Sequence, residues 1–183
     1  MLTDVRNGVS LRFMRNTEYD MSLLLRWLTN AEVLQYVYGE GVPWDIEKIK
    51  EKFSEKTTDE STTVACFILY QEREVGYVQY YPIEHDSYKL NDSATYERIK
   101  DGYGIDMFIG EPELWRKGIG RQALGILEDF LRSHLNVQII CVDPAVGNEC
   151  GVGFWKKVGF EAIDMIEDYD DSNAQSMLMM KSF

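Results

Sequence analysis

A chain of 183 residues, 45% hydrophobic and 27% charged, has the make-up of a globular protein long enough to bury a core. Its 31 acidic residues outnumber 19 Lys and Arg and leave a net charge of −12. Such a surface repels phosphate backbones, which excludes a nucleic-acid binder, and draws polycations toward acid-lined clefts. No apolar run reaches transmembrane length and no signal-peptide pattern follows Met1, so no membrane partner is expected.

In chain order, Val9 to Met14 reads as a strand. Thr17 caps a helix through about Trp27, with Met21, Leu24, Leu25 and Leu28 at helical spacing. Asn30 caps a second, short helix through Val37, and Pro43 and Asp45 begin a third through about Phe53. Thr63 to Tyr70 and Val75 to Tyr81 are two strands joined by the turn Gln71 to Glu74. Pro82 to Asp101 has no clear period and reads as a long connection, a common place for binding elements. Gly104 to Ile109 is a strand. Gly120 to Leu131 is an amphipathic helix with Ala123, Leu124, Leu127, Phe130 and Leu131 inward. Val137 to Val142 is a strand, Asn148 opens a helix that Gly159 stops, and Phe160 to Lys181 is a closing hairpin. The order describes one continuous α/β domain. Cys66 and Cys141 fall in strands as small core residues and Cys150 near a helix start; the three lack metal spacing with His85 or His134, so no metal site is expected, and a reducing cytoplasm fits.

The stretch Trp115-Arg116-Lys117-Gly118-Ile119-Gly120-Arg121 carries the most chemistry. It lies between a strand and the start of a helix. The first N–H groups of a helix lack intrahelical partners and are backed by the positive end of the dipole. Glycines let that backbone approach a ligand, so the turn suits a phosphate or diphosphate. Read as Gly118-x-Gly120-x-x-Ala123 with Asp143 further on, it also fits a loose dinucleotide fingerprint. The context argues against that reading, because Gly110 to Trp115 separates the strand from the turn and little chain follows Asp143.

A second element, Asp143-Pro144 through Asn148 to Gly159-Phe160, follows at a fitting distance. Gly151 and Gly153 sit inside its helix at about 1 kcal/mol each relative to alanine. A sheet or a bound ligand packed on that face would account for them.

Together these two elements resemble the GCN5-related N-acetyltransferase (GNAT) superfamily: the glycine turn its pyrophosphate loop, the second element its strand–Asn–helix–Gly-Phe unit. The likeness narrows to aminoglycoside 6'-N-acetyltransferases through Val9-Ser10-Leu11-Arg12-Phe13-Met14, Leu25-Arg26-Trp27-Leu28, Val75-Gly76-Tyr77-Val78-Gln79-Tyr80-Tyr81, Gly104-Ile105-Asp106 and Val142-Asp143-Pro144. It spans about Val9 to Met179. It implies an α+β fold with a central mixed, mostly antiparallel sheet flanked by helices. It also implies acetyl-CoA as co-substrate and a cationic small-molecule amine, an aminoglycoside, as partner. Two departures stand out: Trp115 where Gln or Arg is usual in the turn, and Trp155 where many members carry the tyrosine that protonates the thiolate.

By the resemblance, Asp106 is the base and amine anchor and Asp143 a second carboxylate from a neighbouring strand end. A carboxylate binds an ammonium and then accepts or relays its proton. Gln79 and Tyr81, two apart on one strand face, line the substrate cleft. Tyr38 supplies an aromatic wall and Asp171, in the acidic turn Asp168 to Asp171, a further carboxylate. Met107, Phe108 and Ile109 lie along the cofactor, with a backbone N–H at Phe108 as the oxyanion donor. Arg116, Lys117, Gly118, Ile119, Gly120 and Arg121 hold the diphosphate, and Asn148, Phe154 and Lys157 complete the cofactor site. Since an indole is no acid, the thiolate leaves through another group, a water or unassisted, which a thiol pKa of ~8.5 permits. The competing functions are acetylation of another amine (siderophore precursor, polyamine or protein N-terminus) and a non-catalytic acyl-CoA-binding module.

Overall fold

The computed structural model describes residues 2–37, 43–85, 87–88, 90, 93–167 and 175–183. The expected sites Tyr38 and Asp171 lie outside them. Two compact units emerge, residues 1–80 with 106–131 and residues 81–105 with 132–183.

The first unit opens with a strand that the hydrophobic pattern does not announce, β1 (Leu2–Arg6), paired antiparallel with β2 (Val9–Phe13). Asn7 and Gly8 join them at φ 50° and 78°, the left-handed pair that a two-residue hairpin turn requires and that Asn-Gly adopts readily. β2 pairs with β3 (Val64–Tyr70), and β3 with β4 (Arg73–Pro82). The turn between β3 and β4 uses the same geometry without glycine, at Gln71 and Glu72. The β3–β4 register shifts near Ile68, opposite Gly76. A Cβ on Gly76 would lie 2.4 Å from the Phe108 carbonyl oxygen, so only glycine admits the strand β5 (Tyr103–Ile109) at this distance.

Helices α1 (Glu18–Leu28), α2 (Ala31–Leu34) and α3 (Ile46–Phe53) begin at the expected caps. Thr17 accepts from Asp20 N at 3.2 Å, Asn30 from Glu32 N at 2.9 Å and Asp45 from Lys48 N at 2.8 Å. α2 is shorter than the pattern suggested and passes into a turn through Val37. A 3-10 turn, Glu55–Thr57, follows α3. These helices bury an aromatic cluster in which Phe108 stacks on Tyr77 at 5.7 Å and meets Trp27 edge-on at 6.1 Å, while Phe53 meets Tyr77 at 5.5 Å. The cluster pins the central strands at the level of Phe108.

In the second unit β5 runs parallel to β6 (Ile139–Val142). Parallel neighbours need a crossover, supplied in chain order by the helix α5 (Ile119–Leu135), one residue earlier in start and four later in end than expected. β6 pairs antiparallel with β8 (Gln175–Ser182), and β8 with β7 (Glu161–Glu167), forming the expected closing hairpin. The stretch read as a structureless connection contains a helix, α4 (Ser93–Ile99), whose Ile99 is fully buried beside Ile83, Tyr88, Cys141, Ile166 and Leu178. α6 (Glu149–Lys157) completes the set. In hydrogen-bonded order the strands run β1-β2-β3-β4-β5-β6-β8-β7, a mixed sheet with flanking helices, as expected. Among the described residues no helix is long and apolar enough to cross a membrane.

Candidate active site

The first unit builds a polar cluster on the aromatic face of β4 and β5. Tyr77 and Gln79 alternate onto one face of β4, Asp106 and Phe108 onto one face of β5. Gln79, almost fully buried, donates from Nε2 to Asp106 Oδ2 at 2.5 Å. Its Oε1 accepts from Tyr77 Oη at 2.7 Å and from Lys56 Nζ at 2.6 Å. An ammonium can only donate, so Lys56 fixes which end of the amide is oxygen and turns the Nε2 toward the carboxylate.

The electrostatics of the cluster follow from burial. Asp106 keeps part of its surface open, yet the packing around its carboxyl group strips enough water to push its pKa up; the Gln79 hydrogen bond and the charges of Lys56 and Lys52 pull it back down. Burial likewise lowers the Lys56 ammonium to about 8, against the attraction of Asp106 and with the repulsion of Lys52. Asp106 and Gln79 were expected in the site. Lys56 and Tyr77 were not. Lys56 hides in the polar run Glu55 to Ser61, which reads as solvent-facing. One signal was available: Ile49, Phe53 and Lys56 continue one helical stripe at i, i+4 and i+7, and the first two are fully buried. The Lys56 Nζ lies 4.9 Å from the centre of the Phe53 ring.

The glycine turn also belongs to this unit. Arg116 has φ 61° and Gly118 φ 81°, and the Gly118 carbonyl accepts the first helical bond of α5, from Gln122 N at 3.1 Å. A Cβ on Gly118 would meet nothing within 4 Å, so the backbone is open on that side. Arg116, Lys117 and Arg121 are exposed and Gly120 half-buried, whereas the Ile119 side chain is buried and offers only its N–H. Phe108 likewise commits its ring to the core. Met107 and Ile109 are half-buried on the opposite face of β5. Trp115, the unusual residue of the turn, donates from Nε1 to the Ile109 carbonyl at 2.8 Å and meets Tyr36 edge-on at 5.6 Å. It clasps the end of β5 to the turn. Gly118→Ala is expected to lose about 1 kcal/mol of stability, since alanine resists positive φ. Urea unfolding checks this; an unchanged midpoint refutes it.

The remaining expected residues lie in the second unit. Tyr81 packs its ring over Gly104, where a Cβ would lie 2.3 Å from the ring. Asp143 follows the end of β6, half-buried. Its charge, after burial, helps push the Cys141 thiol up to about 12; burial does the same for Cys66, so both are inert core thiols. Asn148 caps α6 by accepting from Gly151 N at 2.8 Å. A Cβ on Gly151 would lie within 3.0 Å of three Asn148 side-chain atoms. The Asn148 side chain thus packs on Gly151, while a Cβ on Gly153 would meet nothing within 4 Å. Lys157 is exposed and Phe154 half-buried. Trp155 is buried, with Phe154 and Phe160 each 5.0 Å away. The position of the usual tyrosine acid is thus a core position here. Among the described residues no group of three or more His, Cys, Asp or Glu side chains could hold a metal ion.

Comparison with known proteins follows the same line. The family model described as acetyltransferase (GNAT) domain matches residues 16–167. The structure of AAC(6')-Ib in complex with ribostamycin and coenzyme A superposes with a TM-score of 0.76 at 21% identity, covering 96% of this chain and 93% of that one. A spermidine N-acetyltransferase SpeG chimera from Vibrio cholerae and hSSAT gives 0.71 at 17% identity, covering 96% and 95%. An uncharacterized protein (bh2621) from Bacillus halodurans gives 0.76 at 19%, covering 95% and 83%. At these identities the likeness is one of fold.

Proposed function

Because the chain belongs to the GNAT acetyltransferase family, we propose that it transfers the acetyl group of acetyl-CoA to a primary amine of a small cationic molecule, the 6'-amine of an aminoglycoside first among them. The observation that carries this reading is the Asp106 carboxyl, oriented by Gln79 and set in surroundings that raise its pKa. An alkylamine is an ammonium at neutral pH and is no nucleophile until it loses a proton. A carboxylate that binds the ammonium and has a raised pKa narrows the gap for that transfer. The Tyr77 hydroxyl and Lys56 hold Gln79, and Gln79 holds Asp106.

Acetyl-CoA, when bound, supplies the activated acyl group. In this proposal the N–H groups from Gly118 to Arg121, with Arg116, Lys117 and Arg121, hold its diphosphate; the open space at Gly118 and the positive φ there fit that use. Met107, Phe108 and Ile109 contribute backbone along β5, and Asn148, Phe154 and Lys157 the rest of the cofactor site. Tyr81, Asp143, Tyr38 and Asp171 contribute to amine recognition. With Trp155 in the core, the thiolate leaves through another group, through a water or unassisted. The described structures of AAC(6')-Ib hold ribostamycin, kanamycin and coenzyme A, and the acidic chain suits such polycations. A cytoplasmic location belongs to the same proposal.

A second reading, acetylation of a polyamine, draws on the likeness to the spermidine N-acetyltransferase chimera. A steady-state assay of thiol release with acetyl-CoA across kanamycin, spermidine, a siderophore-type amine and an N-terminal peptide separates them. Turnover with kanamycin and not with the others supports the first reading. Turnover with another amine alone overturns the substrate, and no turnover with coenzyme A affinity intact makes the protein a binding module.

A further inference from the structure

We infer that Lys56 is a specificity-determining residue of the amine subsite: its ammonium, bonded to the far end of the Gln79 amide that holds Asp106, opposes a substrate ammonium arriving at that carboxylate, so an incoming cation binds more tightly when Lys56 is neutral or withdrawn. The inference rests on the reading of Asp106 as amine anchor. Its basis is geometric. Lys56 Nζ and Asp106 Oδ2 are bonded to the two ends of the same side-chain amide, at 2.6 and 2.5 Å. The anchor carboxylate is therefore supplied with a counter-charge by the protein itself.

That arrangement answers a physical difficulty. A carboxyl group buried with no cation near it takes up a proton and loses its hold on an ammonium. Lys56 opposes this, since its charge draws the Asp106 pKa down against burial. The side chain is also placed to give way. It projects from the short 3-10 turn after α3 on a four-carbon stem, with the Phe53 ring beneath its head group. Among the described residues, the charged and titratable groups around Lys56 are Asp106 from β5, Tyr77 through Gln79 from β4, and Lys52 from α3. Two lysines facing one carboxylate penalise an acceptor that brings several positive charges close together, and favour one whose amine is flanked by neutral hydroxyls.

The test reads binding separately from turnover. Kanamycin affinity is measured by calorimetry without acetyl-CoA from pH 6.5 to 9 for wild type, Lys56→Met and Lys56→Arg; spermidine and the other panel amines follow. Lys56 loses its charge near pH 8. Wild-type affinity relative to that of Lys56→Arg, a ratio that cancels the titration of the ligand's own amines, is therefore expected to rise as pH passes 8, about tenfold for the removal of one nearby unit charge. Lys56→Arg keeps the charge, so its affinity stays low with no such step. Lys56→Met binds tightly below pH 8, also with no step, as long as Asp106 is ionised. The carbon-13 shift of the Asp106 carboxyl reports that ionisation, and its midpoint is expected to move up in Lys56→Met and to stay in Lys56→Arg. Thermal melts check that both variants fold. A wild-type profile without the step, or Lys56→Met binding like wild type with an unmoved Asp106 midpoint, overturns the inference while turnover stands. If no panel amine binds any of the three proteins, the inference falls together with the proposed function.

Discussion

Asp106→Asn is expected to lower kcat/KM for acetyl transfer by about 10³-fold, within the range by which a positioned base accelerates proton transfer, while coenzyme A affinity stays within about twofold, since the glycine turn is untouched. The substitution isolates charge from shape. Asparagine keeps the size of the side chain and presents an oxygen to the Gln79 Nε2, so the packing of β4 against β5 is preserved. What it removes is the negative charge that binds the ammonium and the lone pair that takes its proton. The pH profile adds a second reading. Burial raises the Asp106 pKa in the folded protein, and only the ionised form works as base. Wild-type kcat/KM therefore falls as pH drops through a midpoint above the ordinary carboxylate range, and this acid limb disappears in Asp106→Asn. Steady-state kinetics on the amine that gives turnover, with calorimetry on coenzyme A, decides the matter. Retention of more than about a tenth of wild-type kcat/KM would remove Asp106 from the chemistry.

The largest expected effect on stability lies in the first unit, at the ion pair between β2 and α1. Arg12 donates from Nη1 and Nη2 to the two oxygens of Asp20, each at 2.8 Å, and from Nε to Glu74 at 2.9 Å. Asp20 has no exposed surface, and it also accepts from the Arg15 N–H at 2.7 Å. Arg12→Met leaves that carboxylate buried without its cation, which is expected to destabilise the protein by about 3–5 kcal/mol and to lower the melting temperature by roughly 10 °C for a chain of this size. Asp20→Asn is milder, because Glu74 still faces the guanidinium. Replacing Arg12 and Asp20 together by Met and Leu recovers part of the loss, because no charge is left stranded. Urea unfolding of the two single variants and the double variant measures all three. A loss below about 1 kcal/mol for Arg12→Met would mean that water reaches Asp20.

Both effects concern residues whose partners lie on other elements of the fold, and this separates what could be read from what could not. The helix caps Thr17, Asn30 and Asp45 were legible because a cap contacts its own first turn. The glycine turn, the β3–β4 hairpin and the Asp106 strand were legible for the same local reason. The strand β1 was missed because only Leu2 and Val5 carry its apolar pattern, although Asn7-Gly8 marked the hairpin. The helix α4 was missed because of its seven residues only Thr95 and Ile99 are buried.

The sequence by itself determined the order of all the elements but β1 and α4, the family likeness and the anion-suited turn. These follow from spacing over a few residues and from the chemistry of single side chains. Only the tertiary structure decided that Lys56 reaches Gln79 across 23 positions, that Gln79 orients Asp106 across 27, and that Trp155 is a core residue. Strand register and helix packing choose those neighbours, and a one-residue slip would turn each side chain to the opposite face.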